Sequence, residues 1–125
     1  MMRLIDSHTD FPVSDAIFFA GCIFQTELRG IPKGATEPVP GGAAAELLEI
    51  FRQLDRKLAE VGIDKLYIGS VKLYLQNLER DLQAVDKVYA EYFGSHCPSR
   101  GVYGCDLPPG ILIEASFVAS VPVYE

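Results

Sequence analysis

The 125-residue chain is long enough for one domain with its own hydrophobic core, and we expect a single domain over residues 1–125. Its composition, 49% hydrophobic and 22% charged, excludes an intrinsically disordered protein. The net charge of −6 makes nucleic acid an unfavourable partner, because non-specific affinity for polyanions comes from Lys and Arg contacts to phosphate.

Hydropathy and cysteine content argue against several further classes of protein. No run of about 18 apolar residues is present, so we expect no membrane partner. The N-terminal residues turn polar by Asp6, unlike the core of a signal peptide, and this predicts a cytoplasmic protein. Three cysteines without Cys-x-x-Cys spacing and two distant histidines predict no disulfide framework, no metal site and no cofactor. Cys22 and Cys105 are expected to pack inside the fold.

The first predicted strands flank a glycine. Residues 16–20 are apolar and aromatic, and the run resumes at Cys22. This pattern predicts a buried strand that is interrupted at Gly21 by a bulge or a close backbone approach. A second strand fits residues 25–28. Residues 29–42 contain four glycines and three prolines and therefore predict a loop.

The next segment has helical periodicity. Apolar residues recur at three- and four-residue steps from Ala43 to Val61, and Gly62 stands where a helix often ends in a left-handed residue. The predicted apolar stripe is Leu47, Ile50, Phe51, Leu54, Leu58 and Val61. The residues predicted to face solvent are Glu46, Glu49, Arg52, Gln53, Asp55, Arg56 and Lys57.

Three further strands and a second helix complete the pattern. Residues 66–75 alternate as a strand, and Asn77 is a plausible N-cap for a helix that ends at Gly94. Two strands are predicted at 101–105 and 111–121, separated by a turn at 107–110. Four tyrosines at strand and helix spacing are expected to pack in the core: Tyr67, Tyr74, Tyr89 and Tyr92.

The resulting order, β-β-α-β-α-β-β, predicts an α+β fold with two helices on one face of a mixed sheet. The other sheet face is predicted to carry several large apolar side chains, more than a monomer normally exposes. Self-association through that face is therefore expected. The residues assigned to it are Phe18, Ile23, Val71, Leu73 and Ile113.

The last quarter of the chain contains an isolated arginine and an isolated glutamate. Arg100 follows a Cys-Pro-Ser turn, and Glu114 lies in an apolar β run. A guanidinium and a carboxylate can anchor a small carboxylated metabolite and move a proton or a water beside it. The residues alone leave other roles open: Arg100 paired with Glu91 or Asp106, and Glu114 as a buried carboxylate at a subunit interface.

Several motifs occur together in a specific order across residues 16–120. They are Phe19-Ala20-Gly21-Cys22-Ile23, Gly62 at the end of the first helix, the run from Val85 to Phe93, Pro98-Ser99-Arg100, and Leu107-Pro108 leading to Ile113-Glu114. In this combination the chain resembles the YjgF/YER057c/UK-type family, also called the Rid (reactive intermediate deaminase) family. The resemblance implies a chorismate-mutase-like protomer and a homotrimer with three clefts between subunits.

The resemblance also implies an activity, the hydrolysis of a small enamine or imine that bears a carboxylate to a 2-keto acid and ammonia. By motif match, Arg100 would bind the substrate carboxylate, and Glu114 would position water or transfer a proton. Gly21 would line the cleft. The matching also implies binding positions at Ala20, Asp86 and Val102.

The chain departs from the family pattern around these residues. Ala20 replaces a common serine, Asp86 a common asparagine, and Val102 a common cysteine; a tyrosine of the N-terminal segment is missing. If Asp86 faces the cleft, its charge would repel a second substrate carboxylate. The alternatives are an exposed helix residue or an interface contact.

Two other functions fit the same resemblance. One is a non-catalytic, ligand-binding or regulatory trimer that uses the same cleft for a keto acid. The other is an endoribonuclease or translation inhibitor, although the sequence has neither a close pair of histidines nor a basic stripe.

Overall fold

A computed structural model describes residues 3–7 and 14–120 and confirms the α+β fold, with two helices packed on a mixed sheet. The first strand, β1, was not among the predicted elements, because its five residues are too few for a clear alternating pattern. The elements are β1 Arg3–Ser7, β2 Ser14–Phe19, β3 Cys22–Arg29, α1 Ala43–Glu60, β4 Ile68–Leu75, α2 Leu78–Phe93, β5 Ser99–Gly104 and β6 Ile113–Ser120.

The strands form one six-stranded sheet in the order β1-β2-β3-β6-β4-β5. Neighbouring strands are antiparallel except β4 and β5, which are parallel. A parallel pair needs a crossover connection, and α2 provides it. This crossover places α2 over β4 and β5 and therefore beside the predicted arginine.

The glycine in the first apolar run lies in a hairpin turn, so the prediction of a bulge or close approach at Gly21 was wrong. Phe19 pairs with Cys22, and the two residues between them have φ values of 55° at Ala20 and 77° at Gly21. A two-residue hairpin loop of this type needs positive φ at both positions, and glycine meets that need. The irregularity in β3 lies between Gln25 and Leu28 instead.

Helix α1 ends as predicted, with Gly62 at a φ of 81°. Its apolar stripe is buried, but four of its predicted solvent-facing residues are buried too: Glu46, Glu49, Gln53 and Lys57. The segment after β3 lies against two of them, Glu46 and Gln53. Gln53 Nε2 donates to the Arg29 and Ile31 carbonyls at 3.1 and 2.9 Å. Helical periodicity alone does not reveal a loop that folds over the polar face.

Helix α2 begins where the sequence indicates, since the Asn77 side chain accepts a hydrogen bond from Arg80 N at 3.1 Å. The interface between the two helices is aromatic. Phe51 of α1 stacks on Tyr92 with a centroid distance of 3.8 Å and meets Phe93 edge-on at 5.7 Å. Among the described residues, no helix is long and apolar enough to cross a bilayer.

The two faces of the sheet are not as predicted. Ile23, Val71, Leu73 and Ile113 are buried in the core beneath the helices, so their assignment to the outer face was wrong. The side chain of Phe18 lies outside the described part. Alternation in a strand separates two faces but does not say which one the helices cover. The outer face is mostly polar, with Lys72, Tyr74, Glu114 and Ser116, plus the exposed Phe24 and Tyr103.

Candidate active site

Arg100 lies at the start of β5 and faces helix α2. Its Nη1 atom is 2.6 Å from Asp86 Oδ1, and its guanidinium carbon lies 4.7 Å from the centre of the Tyr89 ring. Asp86 and Tyr89 are one helical turn apart and form one face of α2. Arg100 therefore pairs with Asp86, not with Glu91 or Asp106 as the sequence had left open.

The Tyr89 ring is a rigid surface on which the Arg100 guanidinium stacks. Its side chain is buried against the rings of Phe51 and Phe93. Burial raises the pKa of the Tyr89 phenol to about 12, and the charge of Arg100 opposes this shift to a smaller extent. The cation over a neutral, buried ring fixes the guanidinium in place while leaving part of it open to solvent.

Glu114 lies on the other face of the sheet, paired in register with Arg29 of β3. Its Oε1 atom accepts from Arg29 Nε at 2.6 Å and also lies 2.6 Å from Nη2. The Glu114 side chain is 13% exposed and that of Arg29 is 35% exposed. The carboxylate is therefore held firmly at the edge of the solvent-accessible surface, where a water molecule can reach it.

A cavity of about 520 Å³ opens beside this ion pair. Tyr74 and Ser116 line it from the sheet, and the segment before the Pro108 turn forms its rim. The turn itself has the predicted form, with Ile111 N donating to Pro108 O at 3.1 Å and Gly110 at a φ of 85°. The walls of the cavity thus combine three carboxylates (Glu27, Asp106 and Glu114), one guanidinium, two hydroxyl groups and the Cys105 thiol, a set suited to a small polar ligand.

One protomer does not bring Arg100 and Glu114 together. Arg100 is level with Val71 and Phe117, whereas Glu114 is level with Tyr74, three residues further along the strands. With about 4.8 Å between strands and about 3.3 Å per residue, their Cα atoms are about 14 Å apart. Their side chains also leave opposite faces of the sheet.

The other predicted positions are also spread over the protomer. Ala20 and Gly21 form the hairpin turn at the end of the sheet where Cys22 pairs with Ser120, far along β6 from Glu114. Val102 is on the same face of β5 as Arg100 and packs partly against the core. The structure thus joins Arg100 and Asp86 directly and leaves Gly21, Ala20 and Glu114 apart from them. The assignment of these residues to one site stays a prediction.

Three residues near Glu114 were not identified from the sequence. Arg29 was placed in the loop, although β3 continues through it and pairs it with Glu114. Tyr74 was expected in the core but lies on the outer face, where it stacks on Tyr103 at 5.5 Å. Cys105 was expected inside the fold but is exposed and lines the cavity.

Within residues 3–7 and 14–120, no group of three or more His, Cys, Asp or Glu side chains is arranged to bind a metal ion. Cys22, Cys97 and Cys105 are free thiols. His8 lies outside the described residues. The polar groups that line the cavity beside Glu114 are therefore arginine, carboxylate, hydroxyl and thiol.

Comparison with known proteins links this fold to named relatives. The profile of the family described as Endoribonuclease L-PSP matches residues 12–121. The chain is 28% identical over 109 residues to 2-iminobutanoate/2-iminopropanoate deaminase of Homo sapiens, a match that covers 86% of this chain and 79% of the relative. It is 30% identical over 109 residues to a RutC family protein of Pyrococcus abyssi, covering 86% of this chain and 85% of the relative.

A solved structure supports the same fold. The crystal structure of a member of the YjgF protein family from Neisseria meningitidis superposes with a TM-score of 0.84 at 21% identity. The superposition covers 99% of this chain and 98% of the other. The chorismate-mutase-like architecture expected from the sequence is thereby confirmed.

Proposed function

The chain belongs to the Endoribonuclease L-PSP family, the YjgF/Rid family, and from that premise we propose that it hydrolyses small enamines or imines that carry a carboxylate. The products would be a 2-keto acid and ammonia. The observation that carries the proposal is Glu114, a mostly buried carboxylate fixed by Arg29 at the wall of an open polar cavity. The human relative, named a 2-iminobutanoate/2-iminopropanoate deaminase, supports the same reaction class.

The proposed reaction needs only water and proton transfer. Glu114 takes a proton from water as the water oxygen bonds to the imine carbon and the C=N bond becomes a single bond. That proton passes to nitrogen and gives a carbinolamine; the hydroxyl proton then also passes to nitrogen through Glu114, the C–N bond breaks, and ammonia leaves as the carbonyl forms. An enamine first becomes the imine by gaining a proton at its β carbon and losing one from nitrogen. Imine hydrolysis is intrinsically easy, so a site contributes orientation and a general acid or base, typically about 10²- to 10⁴-fold.

In this proposal Arg100 binds the substrate carboxylate through its planar guanidinium. Because Arg100 and Glu114 lie on opposite faces of one sheet, the proposed cleft is completed by a second copy of the chain. A homotrimer with one cleft at each interface would join the α2–β5 side of one protomer to the β3–β6 side of the next. The expected setting is the cytoplasm.

The first test is ammonia or keto-acid release from imino acids made in situ by an amino-acid oxidase. Wild type should accelerate hydrolysis, and Arg100→Ala and Glu114→Gln should each lose at least about tenfold in rate. Arg80→Ala is a matched control, since Arg80 is also paired with an aspartate but lies at the start of α2, away from the cavity. Absence of turnover by wild type with small, large, neutral and cationic imines would refute the deaminase and favour a ligand-binding protein.

A mixing experiment tests the shared cleft. Arg100→Ala and Glu114→Gln protomers are dissociated, mixed in equal amounts and reassembled. If each cleft takes one residue from each neighbour, roughly a quarter of the clefts regain both residues and activity returns. If both residues act within one protomer, no cleft is complete and the mixture stays inactive.

A further inference from the structure

We propose that Asp86 determines ligand specificity by occupying the guanidinium of Arg100, so that it weakens the binding of carboxylate ligands and weakens dicarboxylates most. This rests on the proposed function for the identity of the ligand, but the competition itself follows from the local geometry. A ligand carboxylate and the Asp86 carboxylate need the same donor group. The chain thus carries its own competitor for the anion site.

The position of Arg100 does not depend on Asp86. The guanidinium carbon lies 4.7 Å from the centre of the Tyr89 ring, and that ring is 6% exposed and packed against Phe93 at 4.7 Å. An arginine stacked on a fixed ring keeps its plane when one hydrogen-bond partner leaves. Removal of the Asp86 charge in Asp86→Asn leaves only a neutral acceptor, so it should weaken the competition for the donor without displacing Arg100.

The pair is also accessible to a ligand. The Arg100 side chain is 29% exposed and the Asp86 side chain 43% exposed. Among the described residues, the contact is a single one from Nη1 to Oδ1 rather than a two-pronged pair. One-point contacts of exposed charges are weak, so a ligand carboxylate can displace or share this contact.

The local charge explains the predicted preference. Arg100 and Asp86 sum to zero, so the site attracts an anion less than a bare arginine does. Two carboxylates on one guanidinium stand about 5 Å apart, and at an effective dielectric of about 40 to 70, suited to these solvent-exposed charges, their repulsion reduces affinity by about 5- to 20-fold. A second carboxylate on the ligand adds to this repulsion, whereas a neutral ligand avoids it.

The test measures binding without turnover. Dissociation constants of 2-oxobutanoate, 2-oxoglutarate and the neutral 2-oxobutanamide are determined by calorimetry or NMR titration for wild type and Asp86→Asn. The expected result is about 5- to 20-fold tighter binding of 2-oxobutanoate, a larger gain for 2-oxoglutarate, and no change for the amide. Asp81→Asn is the matched control, because it removes an arginine-paired aspartate from the same helix.

Further variants separate competition from a merely structural role. In the double variant Asp86→Asn with Arg100→Ala, the gain should vanish. Unchanged carboxylate affinity together with a lower melting temperature in Asp86→Asn would overturn the proposal, because the aspartate would then only tie α2 to β5. An equal gain for the amide would also overturn it. A clear shift in carboxylate binding in a protein without turnover would refute the deaminase and leave this inference standing.

Discussion

The ion pair between Arg29 and Glu114 is the contact on which the proposed general base depends, and a double-mutant cycle tests its strength. Arg29→Met keeps most of the side-chain stem but leaves the 13%-exposed Glu114 without its cation. We expect a loss of about 2–3 kcal/mol in the free energy of unfolding, since an unpaired, mostly buried charge is costly. Glu114→Gln should lose about 1–2 kcal/mol, because its amide oxygen still accepts from Arg29 Nε.

The coupling term follows from the same geometry. Two contacts of 2.6 Å to one oxygen would be strong in a dry interior, but Arg29 is 35% exposed and solvent weakens the attraction. The expected coupling is therefore about 1–2 kcal/mol, above a typical surface pair and below a buried one. Urea unfolding at one fixed protein concentration gives all four free energies.

The result that refutes this reasoning is additivity. If the two single losses sum to the double loss within about 0.5 kcal/mol, the side chains are energetically independent. Glu114 would then be positioned by the backbone of β6 alone, and Arg29 would have no positioning role. Repeating the cycle in 1 M NaCl should lower the coupling only in part, because one partner is mostly shielded from solvent.

Three further predictions concern the framework of the site. Burial raises the pKa of Glu46, which accepts from Leu112 N at 3.0 Å. The stability that protonated Glu46 contributes is present below the pKa of the unfolded state and is lost as pH rises through the pKa of the folded state. The free energy of unfolding of Glu46→Gln, measured relative to wild type, should therefore increase with pH across that window. Gly30→Ala should cost more than about 2 kcal/mol in thermal unfolding, because the new methyl group would lie 2.6 Å from Glu46 Cα. Ala20→Asn should add about 1 kcal/mol to the free energy of unfolding and so raise the melting temperature slightly, since asparagine tolerates the positive φ of this turn. A lower melting temperature would contradict the turn assignment.

Most of the architecture could be predicted from local patterns in the sequence. The apolar period of α1, the Asn77 cap of α2 and the Pro-Pro-Gly turn each depend on residues within a few positions of one another. Local rules decide such features. The face of each strand that meets the helices depends on the whole arrangement, and this is why Val71 and its neighbours were placed on the wrong side.

The ion pairs of the site residues also could not be predicted from local sequence patterns. Asp86 precedes Arg100 by 14 positions, across the α2–β5 connection, and Arg29 precedes Glu114 by 85. Neither separation carries a spacing signal, because a sheet register formed by distant strands sets both contacts. Motif matching therefore named Arg100 and Asp86 without pairing them and named Glu114 without Arg29, whereas both pairings required the fold.

The two ion pairs divide the proposed chemistry between the two faces of the sheet. On the β3–β6 side, Arg29 orients the carboxylate that would handle water, so changes there should act mainly on kcat. On the α2–β5 side, Asp86 competes for the arginine that would hold the substrate, so changes there should act mainly on KM. Within one protomer, about 14 Å and the thickness of the sheet separate the two pairs, so their effects on the free energy of unfolding should be independent and add. The proposed cleft joins one pair from each protomer, so Asp86→Asn and Arg29→Met should interact in kcat/KM. Independent effects on kcat/KM would instead mean that the two pairs act in separate sites and would refute the shared cleft.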